Sequence, residues 1–210
     1  LLYEYEEILK ENQIDKNFTY TIGIDYSMEH LGVLSNGLVL EYPKFMKNKL
    51  DILKLKQQEL SRCTPKSNNW KKRKDDISRL YVKVRNQRKD FLNKLAKNMS
   101  EQYDVVVVED LDLQEMSKHY HFGKSIYDNS YNMFLKKLAY KLETNSKQLV
   151  YVDKYYPSSK KCSNCGNVLE HLELSQRVYK CDCGNQMDRD VNAALNIAIE
   201  GIRILAELTI

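Results

Sequence analysis

The chain passes from short segments with period-two hydrophobicity to long ones with helical periodicity. Tyr20 to Tyr26 puts Ile22 and Ile24 on one side of an extended segment, which predicts a strand. Two more strands, about His30 to Leu34 and Leu38 to Tyr42, flank Ser35-Asn36-Gly37. Asn-Gly between apolar runs predicts a hairpin, because both residues tolerate positive φ. Leu50, Leu53, Gln57 and Leu60 space one helical face, and Pro65 with Ser67-Asn68-Asn69 breaks it. A long helix then runs from about Lys71 to Met99, with Ile77, Leu80, Tyr81, Val84, Phe91, Leu92 and Leu95 along one side. Val105 to Val108 is uninterrupted and β-branched, as in a central strand covered on both faces.

After a polar stretch from Asp112 to Asn129, Phe134, Leu138 and Leu142 space another helix and Leu149 to Val152 another strand. A closing helix from about Asp188 to Leu208 carries Val191, Ala194, Leu195, Ala198, Ile202 and Leu205 on one face. Residues 1–14 read as a short helix. An antiparallel hairpin feeding strands joined by helical crossovers is an α/β pattern with a mixed sheet.

Composition narrows the classes. At 210 residues and 42% hydrophobic, the chain suits a folded domain with a small insert. No apolar run approaches the roughly 20 residues of a membrane span. The start, Leu-Leu-Tyr-Glu-Tyr-Glu-Glu, is acidic and amphipathic, unlike a signal peptide. It begins without Met and in mid-helix, so it reads as a piece of a longer protein. Net charge is only +4, yet Ser61 to Ser100 holds thirteen basic residues against three acidic ones. Such a segment suits phosphates or forms a solvated helix face.

Five cysteines, an odd count, favour metal ligation over disulfides. Cys162-x-x-Cys165 and Cys181-x-Cys183 make two knuckles, followed by Gly166 and Gly184 for tight turns. Four thiolates at this spacing suit a closed, structural Zn²⁺ site that folds a segment too small for its own core. Cys63 is left over. Three acids are candidates for a second site: Asp25 in the first strand, Glu109 at the end of the buried strand, and Asp190 in the first turn of the last helix, where the dipole favours negative charge. Each alone reads equally as a turn residue or cap, and Asp188 reads as the helix N-cap. Small Ala193 and Ala194 would let the helix approach the sheet. His119-x-His121 reads as a pair of exposed loop histidines, in a loop that with Lys118 and Lys124 could cover the site.

The combination of Gly-Ile-Asp25, Val-Val-Glu109-Asp110-Leu, Tyr156-Pro-Ser-Ser-Lys-Lys-Cys162-Ser-Asn-Cys165-Gly, Cys181-Asp-Cys183-Gly and Asp188-Arg-Asp190-Val-Asn-Ala-Ala-Leu-Asn-Ile resembles the OrfB/TnpB family, the RNA-guided nucleases of insertion sequences related to type V CRISPR effectors. The resemblance runs from about Thr21 to Ile204. It implies an RNase H-like (RuvC-type) mixed five-stranded sheet with flanking helices, a helical hairpin insert and a zinc-ribbon insert. On that pattern residues 1–18 are a linker helix, 19–158 the first part of the nuclease domain with a basic hairpin at 45–101, 159–186 the zinc ribbon, and 187–210 the last helix. Asp25, Glu109 and Asp190 then form the catalytic set, holding Mg²⁺ or Mn²⁺, and Cys162, Cys165, Cys181 and Cys183 hold Zn²⁺.

The resemblance also implies a DNA substrate, a guide RNA gripped by the full-length protein, and a cytoplasmic setting in a prokaryote or phage. Lys71, Lys72, Arg73, Lys74, Arg79, Lys160, Lys161 and Arg189 are the expected nucleic-acid contacts. The chain departs from the family at Tyr26-Ser27, where a hydrophobic residue and Gly are more usual. The alternatives to a metal-dependent endonuclease are an inactive nucleic-acid-binding or regulatory domain of the same fold, and a zinc-ribbon interaction protein.

Overall fold

A computed structural model describes residues 20–113, 115, 130–173 and 175–208. The N-terminal helix, His119, His121, Lys118 and Lys124 lie outside the described residues.

Five strands form the main sheet: β1 (Thr21–Tyr26), β2 (Gly32–Leu34), β3 (Val39–Leu40), β4 (Val105–Glu109) and β5 (Gln148–Val152). Their order is β3-β2-β1-β4-β5. β1, β2 and β3 are antiparallel neighbours, whereas β4 runs parallel to both β1 and β5. The hairpin expected at Asn36-Gly37 is present: Gly37 sits at φ +86° and Leu34 N–H donates to Leu38 O at 2.8 Å. Four helices accompany the sheet among the described residues: α1 (Leu50–Ser61), α2 (Asn68–Gln102), α3 (Tyr131–Thr144) and α4 (Arg189–Leu208). Strands β6 (Val178–Lys180) and β7 (Gln186–Asp188) pair antiparallel in a separate small sheet. No described helix is long and apolar enough to cross a membrane.

Period-two alternation sorts the side chains of β1 and β4 onto two faces. Ile22, Ile24, Val106 and Val108 enter one core with Leu92 and Ala96 of α2 and Phe134, Leu138 and Leu142 of α3. Val105 and Val107 enter the other with Val150, Val152 and Ile197 of α4. All four valines of β4 are fully buried, each stabilising the fold by about 1.5–3 kcal/mol at most.

α2 is longer than the periodicity predicts, because Ser67 caps it and its hydroxyl accepts the Trp70 N–H at 3.1 Å. Its apolar side is less buried than expected. Tyr81 is 43% exposed, and the first fully buried residue is Val84. α2 packs on α1, and Arg73 near its N-terminus pairs there with Glu59 at 2.9 Å.

Gly23 sets the distance between β1 and α4. A Cβ there would lie 2.1 Å from the Ala194 carbonyl oxygen and 2.7 Å from the Ala198 amide nitrogen. Both are backbone atoms, so the helix itself would have to move. Gly201 does the same service against Val107 of β4. Gly23→Ala is therefore expected to destabilise by about 1–3 kcal/mol or more, lowering the melting temperature by roughly 2–4 °C per kcal/mol. An unchanged melting curve would show that the helix does not sit this close.

Candidate functional site

The same alternation that buries Ile22 and Ile24 turns Gly23 toward α4, and Asp25 follows Gly23 by two residues. On β4, Val107 faces α4 and Glu109 follows it by two. Asp25 and Glu109 thus stand on one face of the sheet, near the C-terminal ends of adjacent parallel strands, where α/β sheets open their crevices. α4 lies across that face, and its first turn carries Asp190.

The three carboxylates share one electrostatic neighbourhood. Burial pushes the Asp25 carboxyl well above the usual range, and the charges of Glu109 and Asp190 push it further, while Arg189 opposes them. Burial also raises Glu109, against a hydrogen bond that the Ser158 hydroxyl donates to Glu109 Oε1 at 2.6 Å. Asp190 is partnered by arginine: Arg189 donates to its Oδ1 through Nε at 3.1 Å and Nη2 at 3.0 Å, and Arg177 lies 3.7 Å from its Oδ2. Asp188 is the N-cap, as its position suggests; its Oδ1 accepts the N–H groups of Asp190 at 2.9 Å and Val191 at 3.1 Å.

A cleft beside Glu109 is lined by Asp110, Tyr131, Asn132, Lys136 and Tyr151. Tyr131 is 1% exposed, and its hydroxyl has no hydrogen-bond partner among the described residues. Burial, with the charges of Asp25 and Glu109, raises its ionisation well above the ordinary tyrosine value. It therefore keeps its proton and remains a donor.

The cysteine module is a second, distinct site. Cys162 and Cys183 sulfurs are 3.7 Å apart, Cys165 and Cys181 sulfurs 3.6 Å, and all four lie within 4.8 Å of one another. A tetrahedral ion with bonds of about 2.3 Å to sulfur needs sulfurs about 3.8 Å apart, so the set fits zinc. Burial would raise the Cys162 thiol. The backbone N–H of Cys165 and the Asn185 side-chain amide, 3.4 Å from the sulfur, outweigh it and pull the value down to about 6. Cys183 is lowered as well, whereas Cys165 is pushed up to about 12 and Cys181 is also raised, so the four thiols do not ionise alike. Among the described residues, only these cysteines gather three or more ligand atoms so closely; the three acids do not gather to that degree, and Asp190 is turned to its arginines.

Two asparagines join the module to the sheet, and neither is foreseen as a site residue. Asn192 and Asn196 are buried in α4. Asn192 donates to Lys161 O at 2.8 Å and accepts from Ser163 N–H at 3.1 Å. Asn196 donates to Ser158 O at 2.8 Å and Lys161 O at 2.7 Å. Ser158 thereby stands between Asn196 and Glu109. The available signal was two polar residues four apart inside an apolar helix face; Ser158, a loop serine, offered none.

Of the basic candidates, Lys71 and Lys72 are exposed, Arg73 pairs with Glu59 at 2.9 Å, Lys74 lies over Trp70, and Arg79 is exposed. Lys160 donates to Glu170 O and Lys161 to the Tyr156 hydroxyl, so both are engaged within the module.

The OrfB_IS605 family, described as "Probable transposase", matches residues 1–119, and the Cas12f1-like TNB domain matches residues 131–197. A Streptomyces pristinaespiralis protein named "Putative RNA-guided DNA endonuclease" is 35% identical over 88% of this chain and 46% of its own length. The CRISPR-associated endodeoxyribonuclease Cas12f1 of Sulfoacidibacillus thermotolerans is 32% identical over 46% of this chain and 24% of its own. Among solved structures, a Cas12f1–sgRNA–target DNA complex aligns at TM-score 0.56 and 19% identity, over 88% of this chain and 50% of that one, which shows a common fold. The chain spans about half the length, or less, of the curated relatives it matches. With a family match over more than half of its residues, this chain belongs to the OrfB/TnpB family.

Proposed function

We propose that this chain is the RuvC-like catalytic part of a transposon-associated, RNA-guided DNA endonuclease, with a zinc ribbon set before its last acid. The observation that carries the reading is the raised Asp25 carboxyl: a buried acid pressed by two neighbouring acids is a site that a divalent cation would relieve. Asp25, Glu109 and Asp190 would hold two Mg²⁺ or Mn²⁺ ions, which when bound supply an activated water and charge stabilisation for the leaving oxygen. Hydrolysis would leave a 3′-hydroxyl and a 5′-phosphate.

The chain's own residues have separable parts in this. Glu109 is oriented by Ser158, and Ser158 is held through its carbonyl by Asn196. Arg189 and Arg177 balance Asp190, and would turn toward phosphate as cations take their place. Tyr131, buried beside the acids, keeps its proton and so adds no further negative charge to the site. Cys162, Cys165, Cys181 and Cys183 would hold the structural Zn²⁺. The names of the relatives support the nuclease chemistry and the guided DNA target.

The direct test is Mn²⁺-dependent cutting of single-stranded DNA, with and without EDTA. Cutting that EDTA does not stop, or that survives in Asp25→Asn, would overturn the reading. Ser158→Ala tests the support of Glu109. It is expected to weaken Mn²⁺ binding by about 10–100-fold in calorimetric titration, with Ser158→Thr recovering most of it. Equal Mn²⁺ affinity in Ser158→Ala and wild type would remove Ser158 from the site.

A further inference from the structure

Between α2 and α3 runs a groove lined by six lysines: Lys89, Lys94 and Lys97 from α2, and Lys136, Lys137 and Lys141 from α3. Among the described residues two acidic partners relieve it, Asp90 at 2.7 Å from Lys94 and Glu101 at 3.6 Å from Lys97. Lys137 donates to Asn93 at 2.6 Å, but that amide brings no charge. Desolvation, the charge of Lys89 across the groove and that of Lys141 on its own helix lower the Lys137 ammonium below its ordinary range. The groove is thus crowded with like charge on the two facing helices, a state that a polyanion would relieve.

Two observations choose the polyanion. Lys136 lines both this groove and the cleft beside Glu109, so the basic track continues into the proposed active site. Tyr140, 64% exposed, stands in the groove with Lys141 Nζ 5.9 Å from its ring centroid, an exposed aromatic surface beside a cation that suits a base next to its phosphate. Base pairs within a duplex have their faces already stacked, while a single strand offers them to aromatic rings. The lysines of α2 spread over eight residues, about 12 Å along the helix, enough for a short strand path.

We propose that the α2–α3 lysine groove is where a single DNA strand is held by its phosphates and led to the Glu109 cleft. This rests on the nuclease reading for the identity of the strand. It places the DNA path at the C-terminal half of the basic segment, away from Lys71 to Lys74, and adds α3, which sequence did not implicate.

The test measures anisotropy of a fluorescent oligothymidylate in EDTA, where binding is read apart from cleavage. Lys89→Gln/Lys136→Gln/Lys141→Gln removes three charges while keeping helix propensity. Affinity is expected to fall about tenfold or more at low salt. The slope of log affinity against log salt should shrink by about 2, since each phosphate contact on a single strand contributes about 0.7. The same charge removed from α1 and the residue before it, in Lys49→Gln/Lys54→Gln/Lys56→Gln, should cost less than about threefold. Unchanged affinity and slope in the groove variant, or equal losses in both variants, would overturn the proposal. So would a groove-dependent affinity higher for duplex DNA or RNA than for the single strand. If the groove variant loses binding as expected while wild type fails to cut with Mn²⁺, the surface stands and the nuclease reading falls.

Discussion

Asp25→Asn is expected to reduce DNA cleavage by roughly a thousandfold or more, as loss of one member of a catalytic set does, while making the metal-free protein more stable at neutral pH. The second effect follows from the sign of linkage. Burial, Glu109 and Asp190 raise the folded-state pKa of Asp25 above its unfolded value. The folded chain therefore holds that proton more tightly, and stability falls as pH rises from about 4 through the folded pKa. Asn has no proton to lose and escapes the penalty. At pH 7 in EDTA its melting temperature should exceed that of wild type by roughly 2–4 °C for each kcal/mol relieved, and the gain should vanish near pH 4. Mn²⁺ reverses the order, because it binds the ionised carboxylate of wild type and stabilises that fold by mass action. Melting curves across pH, with and without Mn²⁺, read both signs. A metal-free Asp25→Asn protein less stable than wild type at pH 7 would mean that Asp25 holds the fold rather than a cation.

Removing zinc is the other large perturbation. The segment around the cysteines has two strands of three residues each, and its buried ring is Tyr179, whose hydroxyl donates to Lys160 O at 3.1 Å. So little apolar surface does not stabilise a fold by itself, whereas thiolate–zinc binding contributes on the order of 10 kcal/mol. Chelation, or Cys162→Ser, is expected to release one zinc per chain and to unfold residues 159–186 while the five-stranded sheet persists. Amide exchange should then rise at Val178 to Lys180 and stay slow at Val105 to Val108. Cleavage should fall as well, because Asn192 and Asn196 tie the first knuckle to Ser158, and Ser158 to Glu109. Zinc-free protein with full exchange protection at Tyr179 would show that the thiols pack without an ion.

Several elements were legible because their physics is local. The Asn36-Gly37 turn needs residues that accept positive φ, and the four valines of β4 announce a strand covered on both faces. The cysteine spacing specifies its own chemistry, since a knuckle is built from neighbours in sequence. The acids could be named only through their order and the family they resemble. Their mutual electrostatic influence depends on parallel pairing of β1 with β4, and on α4 lying close to Gly23.

Apart from β6 and β7, the chain read alone tells where the described strands and long helices fall, where thiolates can gather, and which carboxylates were worth watching. These follow from side-chain period and residue chemistry within a few positions of the chain. It took the packed fold to reveal that Asn196 and Ser158 support Glu109, that two arginines attend Asp190, and that lysines of α2 and α3 form one groove. Each of those facts joins residues more than a dozen positions apart, except for Arg189 beside Asp190. Such contacts are set by how faces pack, which no local pattern encodes.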